Sequence, residues 1–209
     1  MAKQLAFYFD ASACIGCKTC QIACKDKNNN PLGTNFRRVI HYGDGSWVPH
    51  AVHKDLYIPT NFFAYYVSSA CMHCQEPICV EVCPTGAMHK LDNGVVVVGE
   101  DKCVGCRLCQ QACPYGAPQY NATKGVMTKC DLCTDLLKIK QVPACVASCP
   151  QRALDFGELE DLRKRYGTLD AIEPLPASHH TKPSLVVTPH PHAQYSGKGT
   201  GRVLNPEEV

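Results

Sequence analysis

The sequence has no apolar run approaching the roughly 20 residues that a membrane-crossing helix needs; its purest stretch is Val95 to Val98 in GVVVVGE. The chain is therefore expected to be soluble or peripheral, with no membrane span of its own. Charge of one sign is also scarce. Twenty-one Lys and Arg face nineteen Asp and Glu, a formal +2, so no strong field draws the chain onto nucleic acid or anionic lipid. The opening MAKQLAFYFDASAC lacks the n-region, long h-region and small-residue cleavage site of a secretory signal. If the protein works outside the cytoplasm, another protein is expected to carry it across. There is no Gly-rich dinucleotide fingerprint, no phosphate-binding loop and no nucleophile-base pair with a local signature.

What the chain does have is cysteine, at 16 of 209 positions. The cysteines fall into four sets with none left over. The first is Cys14, Cys17, Cys20 and Cys24 in CIGCKTCQIAC, and the second is Cys71, Cys74, Cys79 and Cys83 in CMHCQEPICVEVCP. The third is Cys103, Cys106, Cys109 and Cys113 in CVGCRLCQQACP, and the fourth is Cys130, Cys133, Cys145 and Cys149 in CDLCTDLLKIKQVPACVASCP. Three cysteines separated by two residues each, as in the first and third sets, let one loop wrap an iron-sulfur cubane while backbone N–H groups point at its sulfides. The next cysteine sits on a helix and ligates a different cluster, which is the bacterial ferredoxin pattern. Proline follows the last cysteine at Pro84, Pro114 and Pro150, fitting a turn that ends the ligand helix; the first set has Lys25 instead.

Zinc sites use Cys-x2-Cys pairs, but zinc chemistry does not account for a Cys-x2-Cys-x2-Cys run followed by Cys-Pro. A disulfide framework would show scattered spacings, and neighbours on one tight loop bridge poorly. Four 4Fe-4S clusters are the expectation, all sixteen cysteines serving as iron ligands. Such a centre carries one electron at a time and, fully ligated by cysteine, offers no open iron to a substrate. The chain is read as a non-catalytic electron carrier with a partner at each end.

Between the second and third sets, Asp92-Asn93-Gly94 is a turn signal ahead of the β-prone Val95 to Val98, so a hairpin separates the two ligand loops. This pairs set two with set three: Cys71, Cys74, Cys79 and Cys113 on one cluster, Cys83, Cys103, Cys106 and Cys109 on another. The flanking sets then form a second unit around the first, with Cys14, Cys17, Cys20 and Cys149 on one cluster and Cys24, Cys130, Cys133 and Cys145 on the other. The eleven-residue gap TDLLKIKQVPA reads as a short helix and loop. Tandem pairing of one with two and three with four stays open, although the long stretch from Cys24 to Cys71 makes it awkward.

The residues around the cysteines resemble the iron-sulfur subunit of dimethyl sulfoxide reductases, within the four-cluster subunit family of molybdopterin oxidoreductases. The likeness is carried by FYFDASACIGCKTCQIACKD, NFRRV, FFAYYVSSACMHC, VCPTGAMHK, ACPYGAPQYNATKGVMTKCDLC, SCPQRALDFGELEDLRKRYG and LPASHHTKPSL. It implies an α+β fold of two ferredoxin-like 4Fe-4S modules, one inserted in the other, with the nested pairing. It implies a relay from a membrane anchor subunit that oxidises quinol to a molybdopterin catalytic subunit, with the Cys14 cluster at the catalytic end. Nitrate-reductase relatives carry tryptophan and a 3Fe-4S cluster where this chain has Cys106, so four 4Fe-4S clusters are implied here. The likeness also implies a peripheral place on the membrane, on the periplasmic face through co-export with a catalytic subunit bearing a twin-arginine signal, the cytoplasmic face being the alternative. Polysulfide, thiosulfate, tetrathionate, arsenate and selenate reductases use similar subunits, as do formate dehydrogenases, so the terminal acceptor is not fixed.

The domain reading places residues 1-60 and 115-157 in the outer half, 61-114 in the inner module and 158-209 in a surface helix plus an extended Pro-rich arm. ELEDLRKRYG is the helix, with Leu159 and Leu162 on one side and Gly167 as its stop. From Glu173 to Val209 six prolines and little periodicity point to an arm that wraps over the catalytic partner. Lys18 and Arg107, inside ligand loops, are candidates for tuning cluster potential. Phe62, Phe63, Tyr65, Tyr66 and Trp47 read as packing residues rather than an electron path, and His179, His180, His190 and His192 as contact residues rather than chelators.

Overall fold

The computed structural model describes residues 3–209; the first two residues of the expected outer half lie outside it. β1 (Leu5–Asp10) leads through the first cysteine loop into α1 (Thr19–Lys27). A long hairpin of β2 (Arg38–Pro49) and β3 (Tyr57–Ser69) occupies the stretch between the first two sets. The second loop enters α2 (Ile78–Glu81) and is followed by β4 (Met88–Lys90) and β5 (Val96–Val98). The third repeats the plan with α3 (Leu108–Ala112), β6 (Gln119–Asn121) and β7 (Val126–Thr128). The fourth spans α4 (Thr134–Lys138) and α5 (Ala144–Ala147). The remainder comprises β8 (Leu154–Glu158), α6 (Leu159–Tyr166), β9 (Leu185–Thr188) and β10 (Arg202–Val203). This is the expected α+β class, of short helices and small sheets.

β1 is the central strand of the sheet β8-β1-β9, antiparallel to β8 and parallel to β9. Its run LAFYFD is apolar at nearly every position because both faces are covered. Phe7 and Phe9 join the main core with the cysteines, whereas Ala6 and Tyr8 meet Leu159, Leu162 and Val186. α6 lies over that second face. Glu160 and Asp161 in its first turn and Arg163, Lys164 and Arg165 in its last suit the helix dipole, and Gly167 ends it at φ +95°. The turn at Asp92 to Gly94 closes the hairpin β4–β5, with Met88 opposite Val98.

The arm departs from the expectation. It is extended, but it lies along its own subunit. Leu185, Val186 and Val187 are buried in the sheet beside β1, each worth roughly 1.5–3 kcal/mol when fully buried. That apolar triplet is too costly to leave in water, and prolines on either side hide it as a strand signal. Upstream, Gln75 N donates to Lys182 O (2.8 Å), Glu76 N to Thr181 O (3.1 Å) and Ser184 N to Met72 O (3.0 Å), so the arm covers the second cysteine loop. β10 pairs with β2. The β2–β3 hairpin also differs from the packing role given to its aromatics: Tyr65 is buried, but Trp47 and Phe62 meet edge to face at 5.4 Å on an exposed tip.

Leu162 is fully buried between α6 and the sheet. Leu162→Ala should destabilise the subunit by roughly 2–5 kcal/mol, read as a lower urea midpoint for loss of circular dichroism with iron content unchanged before denaturation; an unshifted midpoint would contradict this packing.

Candidate metal centres

None of the sixteen cysteines is paired in a disulfide, and nine are buried. Cys14, Cys17, Cys20 and Cys149 line one small pocket, walled by Phe9, Val39 and Leu154. Cys83, Cys103, Cys106 and Cys109 line a second, walled by Met88, Val98 and Met127. The two loops are built alike. Gly16 (φ +69°) and Lys18 (φ 60°) flank Cys17, just as Gly105 (φ +67°) and Arg107 (φ 64°) flank Cys106. These left-handed residues curl the loop tightly enough to bring three cysteines around one space before α1 or α3 begins.

The other eight cysteines gather in two groups. Cys79 faces Cys71, Cys74 and Cys113, and burial pushes its thiol up to about 12. Cys24 faces Cys133 and Cys145 and is likewise pushed by burial to about 12. Cys130, wholly buried, faces Cys24 and Cys145 and also Cys71 of the neighbouring group; burial raises its thiol well above the ordinary value. Asp131 shapes this last loop: its carboxylate accepts Cys133 N–H and the Thr134 hydroxyl, both at 2.9 Å, holding Leu132 and Cys133 at positive φ. The spacing of the second set is wider than that of the first and third, and Pro77 starts α2 within it. Helix packing joins the groups, α1 against α5 and α2 against α3.

Hydrogen-bond donors are aimed at sulfur. Met88 N–H donates to Cys83 Sγ and Met127 N–H to Cys103 Sγ, each at 3.3 Å, and Leu132 N–H donates to Cys130 Sγ at 3.4 Å. Thr19 Oγ1 donates to Cys17 Sγ at 3.4 Å, holding that thiol below its ordinary value. Cys14 and Cys109 are instead pushed by burial to about 11. Among the described residues, no three His, Cys, Asp or Glu side chains converge on a single ion. The sulfurs stand around voids instead, with apolar walls and N–H donors. That donor set fits a sulfur-rich iron core several ångströms across.

Three buried polar residues leave no trace in the cysteine pattern. His73 accepts Val96 N–H at Nδ1 (3.1 Å), which leaves its ring proton on Nε2, 3.8 Å from Cys130 Sγ. Lys129 donates to Val96 O and, at 2.8 Å, to Cys130 O. Arg37 is buried beside Ser68. Their letters carry no local signature, since only the fold encloses them. The two cations chosen from the loops are placed differently. Lys18 is paired with Glu208 at 2.6 Å, and the exposed Arg107 lies 3.9 Å over the Tyr120 ring.

Two family models, both described as a 4Fe-4S dicluster domain, match residues 62–159 and 13–87. The protein is similar to the B subunit of the anaerobic dimethyl sulfoxide reductase of Escherichia coli (strain K12), 50% identical over 211 residues and covering 100% of both sequences. It is 51% identical to the corresponding subunit of Haemophilus influenzae over 207 residues, 99% of this chain and 100% of the relative. The thiosulfate reductase electron transfer subunit of Salmonella typhi is 38% identical over 163 residues, 77% of this chain and 79% of its own length. With sixteen cysteines in four groups, these matches fit four 4Fe-4S clusters.

A Cβ on Gly105 would lie 2.4 Å from Gly125 O, whereas one on Gly86, at the same φ of +67°, would meet nothing within 4 Å. Gly105→Ala should therefore lose one cluster, about four iron atoms per chain, while Gly86→Ala keeps its full iron; elemental analysis of the two purified variants checks this.

Proposed function

The chain belongs to the iron-sulfur subunits of dimethyl sulfoxide reductases and related sulfur-oxyanion reductases, and from that membership we propose that it relays electrons from a membrane subunit oxidising quinol to a molybdopterin catalytic subunit reducing dimethyl sulfoxide. Its own part is electron transfer, not catalysis. Dimethyl sulfoxide is favoured over thiosulfate by the higher identity and full-length match to the former relatives.

The proposed ligand sets are nested: Cys14, Cys17, Cys20 and Cys149; Cys24, Cys130, Cys133 and Cys145; Cys71, Cys74, Cys79 and Cys113; Cys83, Cys103, Cys106 and Cys109. The two four-cysteine voids and the packing of α1 on α5 and α2 on α3 support this pairing. It makes residues 1-60 and 115-157 an outer half, tied by β1 on β8, around an inner module at 61-114. Bound clusters would each supply one reversible electron.

The observation that carries the relay is the order of these groups through the protein. α1 holds Cys20 and Cys24 one turn apart, so it touches the group of Cys14, Cys17, Cys20 and Cys149 and the group of Cys24, Cys130, Cys133 and Cys145 together. Cys130 facing Cys71 links the Cys130 group to that of Cys71, Cys74, Cys79 and Cys113, and α2 against α3 links the latter to the group of Cys83, Cys103, Cys106 and Cys109. Both ends reach the surface, where Cys17 and Cys106 are exposed beside the exposed Ile15 and Val104. The apolar walls keep water from the interior and so lessen the reorganisation that each electron step requires.

No described helix is long and apolar enough to cross a membrane, which supports a peripheral place in the complex. The proposal puts the subunit on the periplasmic face, co-exported with the catalytic subunit. It predicts copurification with a molybdopterin-binding protein and a membrane protein, and recovery as a stable lone monomer would contradict it. For the ligand sets, Cys83→Ser and Cys103→Ser should perturb one and the same electron paramagnetic resonance signal. If the Cys83→Ser change instead coincided with that of Cys14→Ser, the tandem pairing would replace the nested one.

A further inference from the structure

Arg37 opens the chain into β2 and is 2% exposed. Its Nη1 donates to Ser68 O at 3.2 Å and Ser68 Oγ at 3.0 Å, and its guanidinium carbon lies 4.5 Å from the centre of the Phe7 ring. Nε and Nη2 are enclosed and have no hydrogen-bond partner. Among the described residues no carboxylate forms an ion pair with it. A guanidinium cannot escape by releasing its proton, and an uncompensated buried charge is strongly unfavourable. Something negative must face it.

The surroundings identify what that is. Ser68 Oγ lies 3.4 Å from Cys20 Sγ, and Ser68 lines the void shared by Cys14, Cys17, Cys20 and Cys149. The cysteines that bear on the guanidinium are Cys145, Cys20, Cys130 and Cys24. A 4Fe-4S core held by four thiolates is an anion in both of its oxidation states and gains one more negative charge on reduction.

We propose that Arg37 is the shared counter-charge of two neighbouring clusters, those of Cys14, Cys17, Cys20 and Cys149 and of Cys24, Cys130, Cys133 and Cys145, its free Nε–H and Nη2–H donating to cluster sulfur and raising both reduction potentials. The inference rests on the nested ligand sets. A fixed cation in a dry interior favours the electron-rich state of whatever lies beside it. Lys18 has no such leverage, being paired with Glu208, and Arg107 faces water. The device acts on two adjacent centres at once and leaves the Cys106 end untouched, so electrons are drawn towards the Cys17 end.

The test is a potentiometric titration of the purified complex, followed by electron paramagnetic resonance, with Arg37→Gln and Arg37→Lys. Arg37→Gln should weaken reduction of the two flanking clusters at least tenfold, about 59 mV for a one-electron couple, and leave the cluster of Cys83, Cys103, Cys106 and Cys109 in place. Arg37→Lys should restore most of the shift. Unchanged potentials in Arg37→Gln, or one equal shift at every cluster, would overturn the proposal. Should Arg37→Gln lose iron, native protein labelled with 15N-arginine should show nitrogen hyperfine coupling in the reduced signals of the flanking clusters; no coupling would overturn the proposal as well. Assigning the signals with Cys20→Ser and Cys24→Ser, in the presence of Arg37, tests the ligand sets separately: a tandem assignment would overturn those sets, whereas unmoved potentials would overturn the charge role alone.

Discussion

A sulfur atom in an apolar interior is tolerated as a neutral thiol, but it binds iron as a thiolate, and a buried thiolate needs positive charge beside it. Nine buried cysteines impose that requirement on this chain from every side of its core. Phe7, Phe9, Val39 and Leu154 pack among the cysteines themselves, so the hydrophobic core and the metal-binding interior are one structure. Iron is then as much a part of the core as these side chains are. Its binding requires the thiolate form of each ligand.

Once sulfur organises the interior, the small hairpins acquire a purpose. β4 brings Met88 N–H to Cys83 Sγ, and β7 brings Met127 N–H to Cys103 Sγ. Each hairpin is only three residues per strand, too little to be stable alone. Each is held by packing Met88, Val96 and Met127 around Cys79 and Cys109. The same economy governs the short helices. α2 and α5 are four residues long, and both begin immediately after a proline that presets the first turn. Such elements have little helical stability of their own, and their cysteines have the task of fixing them in the core.

Much of this was legible in the sequence because spacing is a strictly local property. The four cysteine sets, the turn at Asp92 to Gly94, the helix over Leu159 to Tyr166 with its glycine stop, and the helix in the TDLLKIKQVPA gap are all set by residues within a dozen positions of one another. β9 was not legible. Its four residues sit between prolines, and they become a strand only because β1, some 180 residues away, offers an open parallel edge. Arg37, His73 and Lys129 were missed for a similar reason: a buried cation and a surface cation have the same letter, and the sheet and cysteine loops that enclose these three come from distant segments. The cations legible inside the ligand loops are instead Lys18 and Arg107, which the fold leaves in contact with Glu208 and Tyr120.

Those two residues show how one loop design can serve two different ends. Ile15-Gly16-Cys17-Lys18 and Val104-Gly105-Cys106-Arg107 share their backbone, their exposed apolar residue and their exposed cysteine. What differs is the cover. At the first, the arm returns across β2: Asn205 accepts His41 N–H at 2.8 Å and donates to Val39 O at 2.9 Å, and Glu208 neutralises Lys18. At the second, Arg107 keeps its charge above Tyr120. A partner meeting the first end finds a neutral rim built partly from the arm, and one meeting the second finds a cation. On the proposed relay the two ends must be told apart, and where the last residues of the arm fold distinguishes them without altering the loops that hold the cysteines.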